Sequence, residues 1–106
     1  MTTAAPTRCT FCGRREATPT TWRCQPFEIR DAAGVFPAPE VWQACPVCDT
    51  HVRAHNLDAL ADRMTTGLAC SRQARTGVAP DLRVIAPEAR RVVAAFLALR
   101  DEDPAA

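Results

Sequence analysis

Arg8-Cys9-Thr10-Phe11-Cys12-Gly13 and Ala44-Cys45-Pro46-Val47-Cys48-Asp49 are two halves of one object. Each contains a Cys-x-x-Cys pair, and 32 residues separate Cys12 from Cys45. Two such pairs place four thiolates tetrahedrally around one ion, with zinc–sulfur distances of about 2.3 Å. The expectation is a chain folded around one structural Zn²⁺ held by Cys9, Cys12, Cys45 and Cys48.

The two halves differ in local chemistry. Gly13 follows the first pair and permits a tight knuckle, in which backbone N–H groups point at the sulfurs. The second pair opens a helix: Cys45 serves as N-cap, Pro46 suits the first helical position, and Asp49 sits in the first turn. Four thiolates on Zn²⁺ leave a net charge of −2. Arg8, Arg14 and Arg15 flank the knuckle, placed either to offset that charge or to meet a partner's phosphates.

The bulk numbers bound the rest. A chain of 106 residues is one domain whose modest core commonly needs help from a metal or disulfides. Hydrophobic residues at 47% and charged residues at 24% are ordinary for a soluble globular protein. No apolar run approaches the roughly 20 residues that span a bilayer, which argues against a membrane protein. Met1 to Arg8 has no apolar signal-peptide core, so the chain reads as cytoplasmic. In a reducing cytosol, six cysteines of which four form Cys-x-x-Cys units favour metal over cystine. The net charge of +1 gives no global field toward nucleic acid. All 13 basic residues are arginine, in a sequence also rich in alanine and proline. That pattern reads as coding bias and is not by itself a sign of phosphate binding.

Between the pairs the pattern predicts a β-hairpin with a ragged tip. Thr20 to Arg30 reads as a strand with Trp22 and Cys24 on one face; the parity changes at Pro26, which suggests a bulge or edge position. Asp31-Ala32-Ala33-Gly34 is the turn, and Val35 to Ala44 returns with a Pro37-Ala38-Pro39 interruption. After the second pair, a helix runs to about His55, where His55-Asn56 breaks it and Asn56 caps the next. Leu57, Leu60, Ala61 and Met64 form one apolar helix face that ends at Thr65-Thr66-Gly67. The organisation expected is a zinc-binding unit with its following helix over 1–66 and a loop over 67–86. A C-terminal amphipathic helix over 87–100 packs on the same domain through Val92, Phe96 and Leu99, and 101–106 is a tail. Residues 1 to 7 read as frayed.

Knuckle, hairpin, then a helix carrying the second pair is an order that resembles the treble-clef zinc fingers. That resemblance implies a small zinc-stabilised α+β domain of a kind used by nucleic-acid binders, protein adaptors and a few nucleases. The chain also resembles a narrower group of small proteins with Cys-x-Phe-Cys, Trp-Arg and Trp-x-Ala-Cys-x-x-Cys. The matching residues here are Cys9, Phe11, Cys12, Trp22, Arg23, Trp42, Ala44, Cys45 and Cys48. Asp58, Leu60, Ala61 and Arg63 fit the same group, as does the Ala95-Phe96 region. This second resemblance implies a fold and no activity.

Other chemistry competes with the zinc site for these residues. Cys45-Pro46-Val47-Cys48 resembles the redox dithiol of glutaredoxin-like proteins, but it lies mid-chain and has a companion pair. A treble-clef nuclease needs a histidine on the hairpin, and Thr20 to Ala44 contains none. There is no acid pair beside a nucleophile and no glycine-rich phosphate loop, so the chain reads as non-enzymatic. His51 and His55 share a helix face and are candidates for a second metal site with Cys24 or Cys70. The resemblance instead implies a half-buried helix residue at His51 and the helix-ending position at His55. Cys24 reads as a buried strand thiol, and Cys70 as a loop cysteine without a partner. Trp22 and Trp42 read as a cross-strand core pair. The function expected is a protein-interaction or regulatory factor with a protein partner. The alternatives are nucleic-acid binding through Arg8, Arg14, Arg15 and Arg23 with Arg72 and Arg75, and a thiol or zinc-release sensor using Cys24 or Cys70.

Overall fold

β1 (Thr7–Arg8) and β2 (Arg15–Glu16) pair antiparallel, Thr7 opposite Glu16, and close the first Cys-x-x-Cys into a loop. The structure is a computed structural model that describes residues 7–31 and 33–105. Residues 1–6, Ala32 and Ala106 lie outside the described residues, and with them most of the start expected to fray over 1–7; Thr7, the last of that stretch, is paired in β1. The architecture is α+β: short antiparallel strands followed by three helices.

The insert between the cysteine pairs is a hairpin bent into two ladders. β3 (Thr20–Arg23) pairs with β6 (Val41–Ala44), with Trp22 directly opposite Trp42. β4 (Glu28–Asp31) pairs with β5 (Gly34–Pro37), with Ile29 opposite Phe36. The strand expected to run from Thr20 to Arg30 is therefore broken. Pro26 lacks the N–H that a continuous ladder needs, so pairing stops and restarts after it. Phe27 carbonyl then accepts from Ala38 N–H at 2.9 Å, the first bond of the outer ladder.

α1 (Pro46–Arg53) begins at an N-cap cysteine with proline in its first turn, as the sequence predicts. Its end is sharp. His55 takes a left-handed φ of 52°, and Asn56 then caps the next helix by accepting from Ala59 N–H.

The expected loop over 67–86 is a correction. α2 runs from Leu57 to Thr76 and α3 from Leu82 to Leu99, leaving only residues 77–81 between them. Gly77, at φ 73°, ends α2 in the left-handed conformation that glycine adopts without strain. The sequence signal fades after Met64 because the fully buried residues of α2 are Leu60, Ala61 and Met64 alone, and its second half is half-buried through Gly67, Leu68, Ala69 and Arg72 and otherwise exposed. α3 starts five residues before Pro87, capped by Asp81, whose carboxylate accepts from Arg83 N–H at 2.9 Å. Pro87 sits inside this helix; burial of Ile85 before it and Ala89 after it offsets the backbone bond that proline removes.

The tail is a second correction. Asp101 N–H donates to Arg23 carbonyl at 2.9 Å and Ala105 N–H to Thr21 carbonyl at 2.8 Å. Cys24 and Arg100 form an isolated antiparallel bridge. The chain end thus lines the edge of β3 that β6 leaves open, satisfying carbonyls that polar–apolar patterning cannot see.

The core joins all of these layers. Phe11 from the knuckle, Trp42 from β6 and Phe96 from α3 pack ring on ring, with centroids 4.7–5.4 Å apart. Trp22, equally buried, turns the other way: its indole N–H donates to the buried Asp49 of α1 at 2.8 Å. Both tryptophans are core residues, as expected, but each serves a different interface. No described helix is long and apolar enough to cross a membrane.

Candidate metal centre

The knuckle is built by its own backbone. Cys9 N–H donates to Arg14 carbonyl at 2.7 Å, Gly13 N–H returns to Cys9 carbonyl at 2.9 Å, and Gly13 has φ 76°. A residue with a Cβ adopts that φ only with strain, which explains the glycine. Thr10 then fastens the knuckle to β6: its N–H donates to Gln43 carbonyl at 2.7 Å and its hydroxyl accepts from Gln43 N–H at 2.9 Å. Cys45 follows two residues later, so this stitch sets the first pair beside the second.

The four sulfurs converge. The Sγ atoms of Cys9, Cys12, Cys45 and Cys48 all lie within 4.8 Å of one another, and Cys12 and Cys45 are 3.8 Å apart. Backbone N–H groups point inward: Cys45 N–H donates to Cys9 Sγ at 3.4 Å, and Cys48 N–H to Cys45 Sγ at 3.5 Å. The positive end of α1 faces the same point. Cys9, Cys45 and Cys48 are buried, while Cys12 is half-buried. All six cysteines of the chain are free thiols. A closed group of four soft donors with N–H partners is the chemistry of a metal-binding site.

Proton affinities within the cluster are strongly divided. The Cys48 thiol donates to Cys9 and holds it down at about 4, against the opposing effect of burial. The same bond, together with burial, pushes Cys48 up. Cys12 is raised by burial.

Arg63 is the charge partner that the sequence reading missed. Its Nε donates to Cys48 Sγ at 3.1 Å and its Nη2 to Cys45 Sγ at 3.9 Å. Contact with Cys48 raises the guanidinium's own proton affinity. The expected partners are elsewhere: Arg8 donates to Gly13 carbonyl at 3.2 Å, and Arg14 and Arg15 are exposed. The only sequence signal for Arg63 was its place in the resembling group.

α2 also lands directly on the knuckle. A Cβ on Gly67 would stand 2.6 Å from Cys12 carbonyl oxygen and 2.7 Å from its carbon. Gly67, expected to end a helix, is instead where two backbones meet.

The remaining candidates lie outside the cluster. Among the described residues one group of cysteine, histidine and acidic side chains is arranged to hold an ion, and neither His51 nor His55 belongs to it. His51 is half-buried on α1; His55 Nε2 lies 2.9 Å from Arg100 Nη2. Cys24, expected on a strand, is buried one residue past β3 in the isolated bridge to Arg100, and burial pushes its thiol up. Cys70, expected in a loop, stands exposed on α2 and lines the same clefts as Cys12. Arg72 pairs with Glu88 at 3.2 Å, Arg75 and Arg8 line one cleft, and Arg23 is an exposed strand residue.

No protein-family model matches the chain, and searches of curated proteins and of solved structures returned no match.

Proposed function

We propose that the chain is a non-enzymatic module in which Cys9, Cys12, Cys45 and Cys48 hold one structural zinc ion, acting as a small protein-interaction or regulatory factor in the cytoplasm. The observation that carries the metal reading is the convergence of four sulfurs within 4.8 Å from a knuckle and a helix N-terminus. Four sulfurs at tetrahedral corners about 2.3 Å from zinc stand about 3.8 Å from one another. The Cys12–Cys45 separation of 3.8 Å has that value. Four protein ligands leave no coordination position for water or substrate, which favours a structural role over Lewis-acid chemistry. The order of knuckle, hairpin and helix supports placement in the treble-clef class.

The test is metal analysis of purified protein together with thermal melting of Cys45→Ser. One zinc per chain and loss of a cooperative melt in the variant are the expected results. Protein without zinc, or a variant melting like wild type, refutes the reading.

A further inference from the structure

A groove of about 380 Å³ lies between the outer hairpin and the two long helices, with Thr10 of the knuckle at one end and none of the four clustered cysteines in its lining. Trp42 and Met64 are buried at its floor, Val92 and Phe36 form its walls, and Asp31 and Glu88 supply its carboxylates. Glu88 is unusual among charged residues because its side chain is only 10% exposed. Arg72 Nη2 donates to its Oε2 at 3.2 Å, and among the described residues its other oxygen has no hydrogen-bond partner. Asp31 uses Oδ1 to accept from Ala33 N–H at 2.7 Å, leaving Oδ2. Two carboxylates against one guanidinium leave the groove with one negative charge beside an apolar floor.

We infer that this groove binds a partner protein through a large apolar side chain set next to a lysine or arginine. The apolar side chain packs on Trp42, Met64 and Val92, and the basic one meets Glu88 and Asp31. Charge complementarity selects the occupant: a basic group neutralises the free carboxylates, whereas an acidic one would face them across a low-dielectric wall. Phe36 remains 41% exposed at the rim, so apolar surface continues beyond the groove to where an adjoining partner residue would lie. β5 carries Pro37, which lacks an N–H, so its edge is poorly suited to adding a strand. Recognition therefore falls to side chains. The inference rests on the interaction-module reading and names the surface and the chemistry of its partner.

Two blocked dipeptides, acetyl-Leu-Arg-amide and acetyl-Leu-Glu-amide, test it by two-dimensional ¹H–¹⁵N NMR titration of the intact chain. The expected result is a saturable shift of the Trp42 indole and of groove residues with the basic peptide, and none with the acidic one. Asp31→Asn keeps the acceptor for Ala33, and Phe36→Ser changes an exposed side chain, so both variants should stay folded. Asp31→Asn should weaken binding about tenfold, the usual effect of losing a hydrogen bond to a charged group. Equal response to both peptides, shifts outside the groove, or unchanged affinity in both variants overturns the proposal. Zinc content is measured on the same sample, so the groove and the zinc module fail separately.

Discussion

Arg63 shows how much one side chain on a neighbouring helix can contribute to a metal site. Four thiolates around a divalent ion carry −2, and Arg63 sets a guanidinium 3.1 Å from the fully buried Cys48. A hydrogen bond from a charged donor to a ligand sulfur offsets that excess where water cannot. Arg63→Gln should lower zinc affinity about 10- to 100-fold, the usual effect of losing an outer partner of a metal ligand. Competition with a chromophoric chelator measures this; unchanged affinity would mean that the backbone N–H groups suffice. The cysteines themselves were legible because a Cys-x-x-Cys pair encodes its geometry within four residues. Arg63 was not, because it reaches Cys48 from 15 positions along the chain and from another helix.

At the scale of elements, α2 is held to the knuckle by an absence of side chain. Gly67 costs the helix about 1 kcal/mol relative to alanine. An exposed glycine would therefore be improved by Gly67→Ala. Here the added Cβ meets the Cys12 backbone at 2.6–3.0 Å, and backbone cannot swing aside as a side chain can. Gly67→Ala should lower the melting temperature by several degrees, whereas Thr66→Ala, one residue away and exposed, should leave it nearly unchanged. A stabilised Gly67→Ala variant would show that the close approach is not maintained. The same element shows why the sequence suggested a loop. The fully buried apolar stripe ends at Met64, and the rest of α2 is held by Gly67 against Cys12, by half-buried Leu68 on the core and by Arg72 paired with Glu88 on α3. Such mixed contacts carry no single apolar period.

Over the whole molecule, the metal centre and the core are one structure joined at Phe11. The knuckle supplies two of the four clustered cysteines, Cys9 and Cys12, and, between them, the ring that packs on Trp42 and Phe96. Releasing the knuckle therefore opens the core as far as α3. Structural zinc contributes on the order of 10–16 kcal/mol in zinc-finger peptides, against a typical total stability of about 5–15 kcal/mol. A strong chelator should thus abolish near-ultraviolet circular dichroism from the tryptophans and far-ultraviolet helical signal together, and added zinc should restore both. Helical signal surviving chelation would mean that α2 and α3 stand without the centre. Acid acts in the same direction, because protons compete for the sulfurs that bind the ion, so zinc affinity falls as pH falls.

By itself the sequence determined what short-range chemistry controls. It placed the cysteine pairs, the glycine-closed knuckle, the capped start of α1, the break at His55-Asn56 and the hairpin between the pairs. Each depends on bonds or dihedral preferences spanning a few residues. Tertiary structure alone decided the length of α2, the start of α3 before Pro87, the pairing of the chain end with β3 and the choice of Arg63. These depend on contacts between residues distant in sequence, where packing and backbone satisfaction outweigh local propensity.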